Sequence, residues 1–341
     1  MHVIHIAESV KGGIESYLSD LHPLLQKEVQ LTYILPHNIK SIPSEQTIIV
    51  KSSRTPISQL KYAYLIYKQL KQLKPEIVHA HSSLAGAAIR VLKMLNLTRA
   101  KIVYCPHGWP YIREDGYAVV AYKIIEKCLS IFTDKIVAIS DYEKEISICP
   151  SKTIVINNGI ADFSVGVEGE CPAKKSLLYI GRFDRAKGVD LLIKSYNKVQ
   201  PDFDLVLVGD SVLNDVEIPE VSSGIKCAGW VERDDLKRYF NEASAVVIPS
   251  RWDGFNLVAI EAMSFGLPVF ASNVGGLKDI VDSTSGKLFE LTKIDELLIE
   301  IDQMSVSEMR SLGFGAREKF KKHFTVDRVS AKLINLYNDI N

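Results

Sequence analysis

The sequence predicts an α/β protein made of two Rossmann-like halves facing each other across a cleft, on three observations. Short apolar, β-branched runs alternate with segments of helical period from end to end, the pattern of parallel sheets covered by helices. At 341 residues the chain exceeds one ordinary core and suits two domains. Its 47% apolar content fills two cores.

The first series of predicted strands is Val3–Ile6, Leu31–Leu35, Thr47–Val50, Ile77–Ala80, Ile102–Cys105, Ile136–Ile139 and Thr153–Ile156. Periodicity then lapses around Gly166, Gly169 and Pro172, which places a linker at 163–175 between a first domain, 1–162, and a second, 176–324. The second series is Leu177–Ile180, Asp204–Val208, Ile225–Ala228, Ala245–Pro249 and Pro268–Ala271. Beyond Asp295 the pattern is helical, and the closing segment 325–341 sets Val329, Leu333, Leu336 and Tyr337 on one face.

Composition excludes several classes. Five widely spaced cysteines without Cys-x-x-Cys argue against disulfides and structural zinc. No apolar run reaches membrane-spanning length, and the start lacks a basic segment followed by an apolar one, so a cytosolic protein is expected. Formal net charge is zero but unevenly spread: between 40 and 101, eleven Lys/Arg face only Glu45 and Glu76. Within that stretch Lys61–Lys74 reads as an amphipathic helix, with Leu60, Tyr64, Tyr67 and Leu70 on an apolar side and Lys61, Lys68, Lys71 and Lys74 on another. Such a surface suits anionic lipid at about 1 kcal/mol per basic residue. No nucleic-acid-binding motif accompanies it.

The most informative stretch runs from Pro249 to Gly276. It sets Asp253 after a buried strand, Phe255, Asn256 and Leu257 at the turn into a helix, and Glu261 on that helix, about two turns below its phosphate-facing end. A helix N-terminus at the carboxyl end of a parallel sheet offers free N–H groups to an anion, so the block suits a phosphorylated ligand with hydroxyls. Gly181-Arg-Phe-Asp-Arg-Ala-Lys-Gly188 adds Arg182 and Lys187 beside another helix start, with Arg185 a further cation, and two fixed cations there stabilise a diphosphate leaving group. In the first half, Gly12 and Gly13 open a helix and let backbone approach a ligand, without the G-x-G-x-x-G of dinucleotide enzymes. His107 follows a strand in Pro-His-Gly-Trp-Pro. His79 and His81 flank another strand end, and Ser140, Asn158, Gly159 and Asp210 sit at further strand ends where turn chemistry alone explains them.

These motifs, in this order, resemble the retaining sugar-nucleotide glycosyltransferases of family 4, with the GT-B fold. The signature is D/E-x7-E; Asp253 stands where Glu is usual. The resemblance spans nearly the whole chain, most closely the capsule, exopolysaccharide and O-antigen branch. It implies transfer of a hexose-type sugar from a nucleoside diphosphate to an acceptor hydroxyl, without cofactor or metal. It assigns the acceptor to the first domain, the nucleotide sugar to the second, and returns the helix 325–341 to the first. Arg182, Lys187 and the Asn256–Leu257 backbone then hold the diphosphate, Glu261 the ribose, Val231 the base, Asp253 and His107 the donor sugar, and Gly12 and Gly13 close over the donor. The implied partners are a nucleotide sugar, a lipid-linked saccharide and an anionic membrane surface on the inner face of the cell membrane. Two rivals stay open: a sugar-nucleotide epimerase using the same cleft, and a non-catalytic nucleotide-binding partner protein, suggested by Asp253 in place of Glu.

Overall fold

The computed structural model describes residues 1–10, 12–53, 55–112, 117–164 and 175–341. Lys11, Arg54, Cys171 and the linker positions Gly166, Gly169 and Pro172 lie outside the described residues. Two compact units result, one formed by Met1–Ala161 with Val326–Asn341, the other by Asp162–Thr325.

Unit 1 carries a seven-stranded sheet of β1 (His2–Ala7), β2 (Gln30–Leu35), β3 (Thr47–Ile49), β4 (Ile77–His81), β5 (Lys101–Cys105), β6 (Lys135–Ala138) and β7 (Thr153–Val155). All pairs are parallel, in the order β3-β2-β1-β4-β5-β6-β7. Every residue of β1 and β4 is buried, as expected of strands covered on both faces. The helices between strands are α1 (Gly13–Leu25), α2 (Pro56–Leu73), α3 (Ser83–Met94), α4 (Tyr117–Ser130) and α5 (Asp141–Glu145). Thr55 caps α2 by accepting from the Ser58 N–H, with Pro56 at the first helical position and Lys74 left-handed at the end.

Unit 2 is built the same way on β8 (Ser176–Ile180), β9 (Asp204–Val208), β10 (Ile225–Gly229), β11 (Ala245–Ile248), β12 (Val269–Ser272) and β13 (Gly286–Phe289), in the order β10-β9-β8-β11-β12-β13. Its helices are α6 (Val189–Val199), α7 (Leu236–Glu242), α8 (Leu257–Ser264), α9 (Leu277–Ile280), α10 (Ile294–Gln303) and α11 (Val306–His323). The final helix, α12 (Val326–Ile340), packs on α1 of unit 1 and buries Val329, Leu333, Leu336 and Tyr337.

Four sequence expectations need correction. The core-facing stripe of α2 is Tyr62, Ile66 and Leu70, whereas Leu60 and Tyr64 are 74% and 62% exposed. Arg90 is not a surface cation: its guanidinium is fully buried against Glu126, at 2.7 and 3.2 Å. The sequence also gives no strand at β13, a short edge strand of Gly-Lys-Leu-Phe. Finally, α8 begins at Leu257, so Glu261 lies one turn, about 6 Å, along it rather than two.

Candidate functional site

In unit 2 the chain leaves β8 toward β9 and β10, and leaves β11 toward β12 and β13 in the opposite direction, while β8 and β11 lie side by side. Ligands of open α/β sheets sit beyond the carboxyl ends of such a strand pair. The loop after β8 carries Arg182 and Lys187, and the loop after β11 carries Asp253. The two loops meet: Lys187 Nζ donates to Asp253 Oδ2 at 2.6 Å. The same oxygen accepts from Asn256 Nδ2 at 2.8 Å and from Ser250 Oγ at 3.3 Å. Asn256 also caps α8, its Oδ1 accepting from the Ala259 N–H at 3.1 Å. The first N–H groups of an α-helix have no partner within it, so Leu257 and Val258 present donors at this end. Arg182 reaches the fully buried Asp184 at 3.1 Å, yet its own side chain is nearly half exposed. The cluster therefore offers an anion one exposed guanidinium, one ammonium with spare donors and a helix terminus.

A clamp fixes the Lys187 loop. Arg251 makes two 2.8 Å bonds to the carboxylate of Asp190, donates to the Arg185 carbonyl at 2.8 Å, and its backbone N–H donates to Ala186 O at 2.8 Å. Gly188, at φ +69°, lies so close to the Pro249 carbonyl that an added Cβ would come within 1.9 Å of it. Only glycine fits both that backbone and that approach.

Glu261 is buried, and its Oε1 lies 3.4 Å from Arg233 Nε. The Arg233 guanidinium also covers the Phe163 ring, 5.0 Å from its centroid. Trp230 and Val231 follow β10, with Trp230 mostly exposed and Val231 half-buried. Phe255 is buried and meets Phe324 edge to face.

In unit 1, β1 and β4 are the neighbouring strands from which the chain departs in opposite directions. Gly12, at φ +87° and ψ −131°, precedes the first residue of α1, Gly13, and nothing lies within 4 Å of where its Cβ would be. His107, at φ +50°, joins a chain of imidazoles: His107 Nε2 to His81 Nδ1 at 2.9 Å, and His81 Nε2 to His5 Nδ1 at 2.9 Å. His79 pairs with the Tyr337 hydroxyl of α12 at 2.7 Å. Burial pushes His107 down to about 4, His5 to about 3, and His79 and His81 well below the usual histidine range, so all four rings are neutral at pH 7. Beneath the His107 loop, Trp109 Nε1 donates to the Glu143 carbonyl at 2.9 Å. Burial raises the Glu143 carboxyl to about 7, although it accepts from the Ile139 N–H. Among the described residues two groups offer three metal-ligating atoms within 4.8 Å of one another, His5 with His79 and His81, and His81 with Cys105 and His107.

Residues 11–162 match the family described as glycosyltransferase family 4, and residues 174–305 match the glycosyl transferases group 1. An uncharacterised 41.2 kDa protein in the cps region of Klebsiella pneumoniae is 31% identical over 94% of this chain and 96% of its own length. The chain belongs to glycosyltransferase family 4. Among its relatives is the UDP-Gal:α-D-GlcNAc-diphosphoundecaprenol α-1,3-galactosyltransferase of Escherichia coli, 26% identical over 83% of this chain and 80% of that one. The fold is GT-B: HepE from Anabaena, solved in complex with UDP-glucose, superposes with a TM-score of 0.82, covering 99% of this chain and all of that one at 17% identity.

For this glycosyltransferase the structure thus gathers Arg182, Lys187, Asp253, Asn256 and Leu257 at one strand pair, and puts Glu261 one turn down α8. His107 lies in unit 1 in a chain with His81 and His5; His79 and His81 are read from the sequence as structural or acceptor-side, and His5 carries no sequence reading. Sequence reasoning missed Arg251, Asp190, Asp184 and Arg233. Arg233 alone had a local signal, two residues past Val231.

Proposed function

We propose that this enzyme transfers a sugar from a nucleoside diphosphate sugar to a hydroxyl of a lipid-linked saccharide, with retention at the anomeric carbon and without a divalent metal. The observation that carries the reading is the meeting of Lys187, Asp253 and the α8 N-terminus at the β8–β11 strand pair. On this reading the diphosphate lies on Arg182, Lys187 and the Leu257 N–H, Glu261 holds the ribose, and Asp253 takes sugar hydroxyls. Lys187 keeps two further N–H donors beside the one given to Asp253, so it serves both carboxylate and phosphate.

The bond from C1 to the phosphate oxygen breaks as charge gathers on the diphosphate. The acceptor oxygen bonds to C1 on the same face, and its proton passes to the departing phosphate oxygen. Stabilisation of that charge and positioning supply most of the acceleration. The cationic cluster meets the leaving group's charge without requiring a divalent ion. Support for the substrate class comes from the E. coli relative, whose name gives a UDP-sugar donor, a diphosphoundecaprenol-linked acceptor and an α-linked product.

The test incubates the protein with UDP-, GDP-, ADP- and dTDP-sugars and a diphosphoundecaprenol-linked monosaccharide, with and without EDTA, and reads the product anomer by NMR. A product of inverted configuration removes retention, and loss of turnover in EDTA removes metal independence. An epimer formed from donor alone establishes the epimerase instead, and nucleotide binding without turnover the partner protein.

A further inference from the structure

The sheet of unit 1 brings together soft metal ligands that stand apart in the chain. His81 ends β4, Cys105 ends β5, and the two are register partners on adjacent parallel strands, so their side chains leave the same face. Two residues on, His107 takes a left-handed backbone, φ +50°, which a residue with a Cβ adopts only at a cost. Its ring lies back over the strand ends, with His107 Nε2 2.9 Å from His81 Nδ1. One nitrogen from each ring and the Cys105 sulfur lie within 4.8 Å of one another. The Tyr17 ring meets both imidazoles edge-on, and the buried Trp109 ties the His107 loop to the Glu143 carbonyl. The three ligands are therefore held in place by their surroundings.

We propose that Cys105, His81 and His107 bind a thiophilic divalent metal, Zn²⁺ above all, and that the ion inhibits the enzyme by taking His107. Thiolate and imidazole suit zinc, whereas magnesium and manganese take oxygen ligands. Tetrahedral zinc sets nitrogen about 3.3 Å from nitrogen and about 3.6 Å from sulfur, spacings that shifts of about 1 Å reach from the present ones. Three protein ligands leave the fourth position to water. The ion's way in is past His107, which is partly exposed, whereas His81 and Cys105 are fully buried. His81 would meet the ion through Nδ1 while its Nε2 faces His5 Nδ1 at 2.9 Å, the outer hydrogen bond that metal-ligating imidazoles keep.

On loading, the Cys105 thiol releases its proton to solvent, and the proton shared by His81 and His107 moves to a far ring nitrogen. The thiolate then offsets one of the two charges of the ion. The neighbouring group of His5, His79 and His81 fits a cation less well, because it is buried throughout and offers neutral imidazoles alone. The site belongs to unit 1 and the diphosphate cluster to unit 2, so the ion stops a reaction that runs without it. Inhibition rests on the reading of His107 as a contact of the donor sugar, whereas binding of the ion does not.

The experiment titrates the full chain, stripped of metal, with Co²⁺ and then Zn²⁺. Co²⁺ is expected to give a thiolate-to-metal absorption in the near ultraviolet and the intense visible bands of a four-coordinate ion, both displaced by stoichiometric Zn²⁺ and untouched by Mg²⁺. Cys105→Ser should abolish the sulfur band and weaken Zn²⁺ binding by on the order of 100-fold, whereas Cys128→Ser and Cys227→Ser, at exposed thiols, change neither. His107→Gln, on a partly exposed loop, should weaken binding likewise and serves if Cys105→Ser does not fold. Wild-type turnover should fall about tenfold at free Zn²⁺ about ten times Kd and return with EDTA, while Cys105→Ser stays active at the same zinc level. A cobalt spectrum without the sulfur band, or one that survives Cys105→Ser, overturns the site. Binding as described with undiminished turnover overturns the inhibition, and with it the reading of His107 as a donor contact.

Discussion

Lys187 and Asp253, on loops that follow the adjacent strands β8 and β11, form a 2.6 Å ion pair in which the carboxylate is buried and the ammonium half-buried. Removing the cation leaves a buried carboxylate with, among the described residues, the Asn256 amide and the Ser250 hydroxyl as its side-chain donors. Lys187→Met is therefore expected to lower the melting temperature and cut turnover at least 100-fold, about 2.7 kcal/mol of transition-state stabilisation. Adding Asp253→Asn should recover stability but not turnover. Equal melting temperatures for the single and double variants would show that the pair contributes nothing to the fold.

Asp253→Glu lengthens the carboxylate that Lys187 and Asn256 hold. The added methylene cannot keep both bonds and also leave the donor sugar in place, so donor preference or rate should change severalfold. Unaltered kinetics across the donor panel would make Asp253 a purely structural partner of Lys187.

Arg251→Lys keeps the charge and loses the fork. A lysine cannot make the two parallel bonds to Asp190 while also reaching the Arg185 carbonyl. The Lys187 loop should loosen, with nucleoside diphosphate affinity falling about tenfold, near 1.4 kcal/mol. Isothermal titration of the variant with UDP decides it, wild-type affinity refuting the clamp.

Glu261→Gln removes the charge that accepts from ribose hydroxyls and sits beside Arg233. Charged acceptors form hydrogen bonds roughly twice as strong as neutral ones, so nucleotide affinity should drop several-fold more than affinity for inorganic diphosphate. Equal losses for both ligands would place Glu261 away from the ribose.

Glu143 is pushed up to about 7 by burial, from an ordinary 4.5. The folded protein then holds a proton that the unfolded chain has released, so this group's contribution is full below pH 4.5 and is lost as pH rises through 7. Glu143→Gln fixes the neutral form. Its melting temperature should match wild type near pH 4.5 and exceed it at pH 8, by the equivalent of on the order of 3 kcal/mol at most. A difference independent of pH would mean that Glu143 is ionised in the fold.

The sequence made legible whatever is encoded locally. Strand runs and the turn from Asp253 through Asn256 into α8 lie within single elements or a turn apart, so local pattern places them, but spacing does not fix that α8 starts at Leu257, which is why Glu261 falls one turn along it rather than two. The helix α2 was misread because it is apolar on two sides: Tyr62, Ile66 and Leu70 satisfy the helical period as well as Leu60, Tyr64 and Tyr67 do. Only the sheet, which takes the first set, decides between them. Lys187 with Asp253 and Arg251 with Asp190 are 66 and 61 positions apart. They meet because β8 and β11 pair in parallel after an excursion through β9 and β10, and no residue pattern announces that. Arg90 looked like part of a basic surface because its partner, Glu126, lies 36 residues on.

The last helix has a consequence for the order in which the protein matures. α12 covers the His79 side of the first sheet through Tyr337, and its first residue is tied to the end of the opening segment by a 2.9 Å bond from the Val326 N–H to the Ile160 carbonyl. The first unit therefore cannot be finished until Val326–Ile340 has left the ribosome, whereas Asp162–Thr325, made before that helix, forms its own unit without it. A nascent chain stalled before Val326 would carry a mature second unit and a first unit with an open flank, a ready target for chaperones.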